Sequence, residues 1–275
     1  MSKYPNQTAS KIMLVLAVLC VATGCQKSPT YETRDDFKKY YDGYHVRGSF
    51  VLFDLQKNNY LLCNREQFHE PFIPASTFKI LNSLIGLETG VIKDADFVIP
   101  WDSIARPVAA WNGDHTLRSA FQNSVVPYYQ ELARRVGGKR MKEWLDKAQY
   151  GNADTSGGID RFWLGGGLRI TPAQQIDFLQ RLYRGELPFS KRSLDIVKQI
   201  MIVKDTLGVV VRAKTGRSEQ GGKQVGWYVG YLERKGNLYF FSNCIQSSEV
   251  SLPDFINARV VITYKILADL GLMAE

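Results

Sequence analysis

Apolar residues recur along this chain in two rhythms, and the change of rhythm divides it. Phe50 to Leu55 and Tyr60 to Cys63 are short apolar runs separated by Lys57-Asn58-Asn59, which predicts two strands and a hairpin. Ser76 to Glu88 predicts a helix closed by Gly90. Residues 95–200 read mostly as helix and loop. Within them Tyr128 to Val136, Lys139 to Ala148 and Pro172 to Tyr183 carry apolar residues at helical spacing, and Pro172 suits a first turn. Strands return at Gly208–Lys214, Gly226–Glu233 and Leu238–Ile245, the last two joined by the turn Arg234-Lys235-Gly236-Asn237. Asp254 to Leu270 closes the chain as an amphipathic helix. Strands at both ends with helices between predict an α/β (α+β) fold. An antiparallel sheet is flanked by terminal helices, a helical subdomain is inserted over roughly 95–200, and a site lies in the cleft between them.

The first 24 residues follow neither rhythm. Lys3 and Lys11 precede eleven apolar residues, Ile12 to Ala22. A helical span needs about 20 such residues, so this run predicts the apolar core of a signal peptide over 1–24. Ala22-Thr23-Gly24-Cys25 resembles a bacterial lipobox, which makes Cys25 the candidate for lipidation. An ordinary signal cleaved nearby is the alternative, leaving a soluble periplasmic protein. Residues 25–44 then read as a lipid-anchored tether and an N-terminal helix, and 45–275 as the catalytic domain. Gln26 follows the cysteine where an aspartate would favour inner-membrane retention, so the expected address is the periplasmic side of the outer membrane.

The formal net charge of +8 falls to +6 once Lys3 and Lys11 are removed. Charges alternate in sign, with no basic run interleaved with aromatics, which excludes a nucleic-acid surface and suits a substrate carrying a carboxylate. Outside the leader and Cys25 only Cys63 and Cys244 remain, readable as a disulfide or as two buried thiols. His45, His69 and His115 lack metal-ligand spacing, so no metal is expected.

The candidate chemistry lies in three ordered motifs. Ser76-Thr77-Phe78-Lys79 opens the first long helix. Residues i and i+3 share a helix face, which sets an amine beside a hydroxyl that needs a base to become a nucleophile. Ser124-Val125-Val126 follows, and Lys214-Thr215-Gly216 ends a β-branched run. Together they form the signature of serine penicillin-recognising enzymes. Tyr150-Gly151-Asn152 and Phe162-Trp163-Leu164, with Ser-x-Val in place of Ser-x-Asn, narrow the match. The chain after about residue 45 resembles a class D (oxacillinase-type) β-lactamase, including Gly86-Leu87-Glu88-Thr89-Gly90 and Ser156-Gly157-Gly158-Ile159-Asp160.

That resemblance implies hydrolysis of the strained amide of β-lactam antibiotics, and with it antibiotic resistance. Ser76 would be the nucleophile, and its N–H with that of Arg217 the oxyanion hole, one such donor being worth about 2.7–4 kcal/mol. Lys79, desolvated among apolar residues, would add CO2 and act as a carboxylated general base, the only cofactor-like group implied. Trp163 would hold the carbamate, and Val126 and Leu164 would gate the hydrolytic water. Ser124 would relay a proton to the lactam nitrogen beside the positive field of Lys214. Thr215, Gly216 and Arg259 would take the substrate carboxylate. Arg259 stands farther from Leu252-Pro253 than is usual in the family, and Arg217 replaces other side chains there. The class A glutamate–asparagine signature is missing, with Gly165-Gly166-Gly167 in part of that stretch. The alternative is a β-lactam sensor domain or a penicillin-binding protein, which acylates without turnover. The short connection from Lys214-Thr215-Gly216 to Val225-Gly226-Trp227 hints at an open site.

Overall fold

The computed structural model describes Met1, residues 28–206 and residues 208–273. The expected signal segment and Cys25 lie outside these. In chain order the elements are β1 (Thr30–Thr33), α1 (Lys38–Asp42), β2 (Arg47–Asp54), β3 (Asn59–Cys63), α2 (Lys79–Glu88), β4 (Val98–Ile99), β5 (His115–Thr116), α3 (Leu117–Gln122), α4 (Val126–Val136), α5 (Gly138–Ala148), α6 (Pro172–Arg184), α7 (Lys191–Ile200), β6 (Ile202–Thr206), β7 (Val209–Gln220), β8 (Lys223–Arg234), β9 (Asn237–Ser247) and α8 (Leu252–Asp269).

Seven strands form one sheet in the order β1-β3-β2-β9-β8-β7-β6. Every pairing is antiparallel except that of β1 with β3. Both faces are covered, so side chains alternate between two cores. Phe50, Leu52, Tyr228 and Phe241 pack with Phe255, Ala258 and Ile262 of α8. Val51, Phe53, Trp227 and Phe240 face the helices between β3 and β6. A sheet buried on both faces reads as continuous apolar runs, as in Gly226–Leu232.

The inserted segment begins earlier than the hydrophobic rhythm predicts. The chain leaves the sheet after Cys63 and returns at Ile202, so α2 belongs with the helices. Gly86 lets α2 approach α4, because a Cβ there would stand 2.9 Å from the Leu132 side chain. Glu88 in turn receives the N-terminus of α7. Its Oε2 accepts from Ser190 N at 3.0 Å, Ser190 Oγ at 2.8 Å and Ser193 Oγ at 2.7 Å. Thr171 and Gln174 form a capping box on α6, which ends at Gly185 in the left-handed conformation.

Three expectations need correction. Ser76 does not open an α-helix. Residues Ala75–Phe78 form a 3-10 turn, and α2 starts at Lys79. Lys214-Thr215-Gly216 does not end a strand, since β7 runs on to Gln220 and turns through Gly221-Gly222, both with positive φ. The polar stretch 25–44 is not all tether and helix. Thr30–Thr33 adds a parallel edge strand to β3, and the N-terminal helix is only the five residues of α1. Cys63 and Cys244 are two free, buried thiols.

Candidate active site

The site forms where the free edge of β7 meets the 3-10 turn of Ala75–Phe78. β6 pairs with β7 only as far as Arg212, which leaves the edge from Lys214 to Ser218 without a strand neighbour on that side. Gly216 permits the close approach: a Cβ there would stand 2.9 Å from the Pro74 carbonyl oxygen and 3.1 Å from the Thr77 methyl. The backbone of Arg217, one residue on, is thereby carried past the turn that holds Ser76.

In a 3-10 turn, residues i and i+3 eclipse more closely than on an α-helix. Lys79 Nζ accordingly donates to Ser76 Oγ at 2.6 Å. Ser124 joins the pair from the opposite side, its Oγ accepting from Lys79 Nζ at 3.3 Å and from Lys214 Nζ at 3.1 Å. Lys214 Nζ also reaches the Thr215 carbonyl at 3.3 Å. Two hydroxyls and two amines thus form one continuous chain of hydrogen bonds.

Ser124 reaches this chain through an unusual helix end. It follows α3 with φ +53°, its N–H bonded to the Phe121 carbonyl and that of Val125 to the Ala120 carbonyl. This is a Schellman arrangement with serine where glycine is usual. Ala75, just before the nucleophile candidate, also has φ +50°. Left-handed backbone at non-glycine residues costs on the order of 1–3 kcal/mol each and concentrates at functional sites.

The electrostatics follow from burial. Lys79 is fully enclosed, and desolvation, aided by the charge of Lys214, holds its amine well below the ordinary lysine range. Its Nζ lies 5.3 Å from the centre of the Tyr129 ring. Burial first, then the charge of Arg259, brings Lys214 down to about 7. Arg259 donates from Nη1 to the Gly216 carbonyl. Burial, and then Arg217, lowers it to about 10. Among the described residues no carboxylate lies within ion-pair distance of Lys79, Lys214, Arg217 or Arg259. Arg217 and Arg259 therefore leave positive charge without a paired carboxylate, an arrangement suited to an anion.

Trp163 packs against Phe78 with ring centroids 5.3 Å apart, and its buried Nε1 has no hydrogen-bond partner in the protein. An orphaned buried N–H is rare and costly. A buried lysine whose amine is held well below its ordinary range and an unspent buried indole donor fit a carbamate on Lys79. Val126 at the start of α4 and Leu164 are both half-buried.

Several contributors escaped the sequence reading. Ser218 Oγ donates to the Leu164 carbonyl at 3.0 Å and ties the Phe162-Trp163-Leu164 turn to β7. Strand alternation from Lys214 through Gly216 would have placed Ser218 on the same face. Gln175 Nε2 donates to Thr77 Oγ1 at 2.9 Å, bracing the residue beside Ser76 from α6. Tyr150-Gly151-Asn152 is structural. A Cβ on Gly151 would lie 2.0 Å from the Arg169 carbonyl, while Asn152 accepts from Arg169 N at 2.9 Å and donates to the Gly167 carbonyl at 3.0 Å. It closes the base of the loop that carries Trp163.

A buried Ser-x-x-Lys pair joined to a second serine and a strand lysine defines an active-site-serine penicillin-recognising protein. The model of the penicillin binding protein transpeptidase domain matches residues 48–268. β-Lactamase OXA-48 of Klebsiella pneumoniae is 38% identical over 258 residues, 94% of this chain and 95% of that protein. A solved class D β-lactamase from Nostoc superposes with a TM-score of 0.83 at 43% identity, over 86% of this chain and 99% of the other. The C-terminal domain of the Bacillus licheniformis BlaR penicillin receptor superposes with a TM-score of 0.84 at 31% identity, over 90% and 99%. The chain belongs to the penicillin-binding transpeptidase family and, within it, to the class D serine β-lactamases.

Proposed function

We propose that this protein hydrolyses the amide of β-lactam antibiotics, through an ester formed on Ser76. The observation that carries the reading is the buried contact of Lys79 Nζ with Ser76 Oγ, 2.6 Å. A nucleophile and its base must be within about 2.6–3.2 Å. Ser76 Oγ attacks the lactam carbonyl carbon and loses its proton toward Lys79. The C–N bond breaks, and the leaving nitrogen takes a proton along Ser124, whose hydroxyl bridges Lys79 and Lys214. The Ser76 and Arg217 N–H groups are the proposed oxyanion donors, since Gly216 brings their two elements together. Thr215, Gly216 and Arg259 take the substrate carboxylate beside Lys214. A carbamate on Lys79 supplies the anionic base that a lysine alone lacks. Trp163 is its proposed donor, and Val126 and Leu164 shield it while admitting the water that frees Ser76.

A second reading has one observation behind it, the likeness to the BlaR receptor domain. A receptor of that kind would form the same Ser76 ester and keep it. Steady-state assay with a chromogenic cephalosporin separates the two. Sustained turnover, abolished in Ser76→Ala, supports the hydrolase. A burst of one equivalent followed by a flat line overturns it in favour of the receptor.

The address completes the proposal. Cys25 is lipidated and anchors the enzyme at the periplasmic side of the bacterial outer membrane through the short polar stretch after it. No helix among the described residues is long and apolar enough to cross a membrane.

A further inference from the structure

Residues 101–114 form a mostly exposed strap ahead of β5, braced by its own side chains. Asp114 Oδ1 accepts from Trp101 N at 2.8 Å. Asn112 accepts from Arg106 N at 2.9 Å and donates to the Arg106 carbonyl at 3.0 Å. The strap is tied to α3 at both ends. At the start of α3, His115 Nε2 donates to the Ala110 carbonyl at 2.9 Å, since a carbonyl can only accept, and Nδ1 lies 3.0 Å from Ser119 Oγ. At the far end, Trp111 Nε1 donates to the Asn123 carbonyl at 3.2 Å. That carbonyl belongs to the peptide unit that ends in the Ser124 nitrogen, and such a unit is planar. Trp111 holds its oxygen, and the Phe121 carbonyl accepts its N–H at 3.2 Å. With both poles held the plane resists turning, and the Ser124 φ of +53° is set against that plane. A serine kept in left-handed backbone needs such support. Its Oγ is the atom that bridges Lys79 Nζ at 3.3 Å and Lys214 Nζ at 3.1 Å.

We propose that Trp111 and His115 are positioning residues for Ser124. His115 seats the strap, and Trp111 fixes the peptide unit from which the Ser124 hydroxyl is aimed between the two amines. The inference rests on the reading of Ser124 as a proton relay given above. Without the Trp111 Nε1–H, the Asn123 carbonyl turns toward water, the Ser124 backbone relaxes, and Oγ leaves the line between Lys79 and Lys214. The latch acts on the aim of one hydroxyl, so its loss falls on the acylation step and not on binding.

The test follows the first turnover of the full-length protein with a fluorescent penicillin over a range of concentrations. This separates the limiting acylation rate from the half-saturating concentration. Trp111→Phe keeps a ring but loses the Nε1–H with part of the indole. It and His115→Ala, on separate elements, should each lower the limiting rate about tenfold, within the roughly hundredfold that a misplacement of about 1 Å can cost. The half-saturating concentration should stay unchanged. His115→Gln, which keeps an N–H donor of similar reach, should recover most of the rate. Ser124→Ala is the control, and Trp111→Phe added to it should cost no further rate, because the latch works only through that hydroxyl. A merely structural role would lower the rate again. A full further loss in the double variant, a wild-type rate in Trp111→Phe, or a loss confined to the half-saturating concentration overturns the proposal. A wild-type rate in Ser124→Ala overturns the relay reading itself, and the latch with it.

Discussion

Ser124 Oγ stands 3.1 Å from Lys214 Nζ, and Lys214 is the better buried of the two, at 4% exposure. The contact has an electrostatic cost that the fold carries. Lys214 accepts a proton in the folded protein only below about 7, against an ordinary value of 10.5, because burial and then Arg259 disfavour its charge. Between pH 7 and 10.5 the unfolded chain therefore binds more protons than the folded one, and stability rises with pH across that window. Below pH 7 the penalty is fully present. Lys214→Met, of similar length and uncharged, should raise the melting temperature at pH 6 by about 5 °C or more, and the gap should shrink toward pH 10. Calorimetry at the two pH values checks it. A variant that melts lower at both would mean the ammonium is well solvated.

Trp163→Phe keeps an aromatic ring beside Phe78 but removes part of the indole together with the Nε1–H, which has no protein partner. Hydrogen bonds to charged groups contribute about 1.5–3 kcal/mol, so carbamate occupancy on Lys79 should fall about tenfold or more. Carbon-13 NMR with labelled bicarbonate reads it directly. Activity lost at low pH should return with bicarbonate in the wild type and return less in the variant. Equal occupancy would leave Trp163 as a core aromatic only.

Arg259 donates to the Gly216 carbonyl and has Nε buried without a partner. Arg259→Ala should raise KM for penicillins about tenfold or more while kcat changes little, because a carboxylate anchor binds ground and transition states alike. An unchanged KM would move the anchor to Thr215 and Arg217.

Cys25→Ser should release the protein from the membrane fraction and abolish palmitate labelling. One acyl chain holds a protein only marginally and two or more hold it stably, so the wild type should stay membrane-bound after a salt wash. Wild-type protein that takes no label and fractionates as soluble would leave an ordinary secreted enzyme.

Much of the fold was legible because its signals are local. The β8–β9 hairpin turn falls at Lys235-Gly236, and α4, α5 and α6 begin within two residues of their predicted starts. Four features were not legible, each for a tertiary reason. β1 is four exposed residues with no hydrophobic rhythm, held by pairing to β3. The run of β7 beyond Gly216 is polar, because that edge faces the cleft and the turn at Gly221-Gly222. Ala75–Phe78 tightens into a 3-10 turn beneath the close passage of Gly216. Ser124 adopts a conformation that local preference assigns to glycine, at a helix end where its hydroxyl meets the two amines. The motif residues themselves were visible by type and order. Their geometry depends also on the neighbours Ser218 and Gln175, which carry no chemical signature in sequence.

The most direct test is a time course of intact mass after mixing the protein with a few equivalents of benzylpenicillin, alongside Lys79→Ala. In the wild type an adduct of one penicillin, mapped to the Ser76 peptide, should form and vanish within seconds, leaving penicilloate in solution. In Lys79→Ala any adduct that forms should persist, because the ester lacks the base that activates water. A wild-type adduct that stays at full occupancy for hours, or one that maps to a residue other than Ser76, would contradict the account.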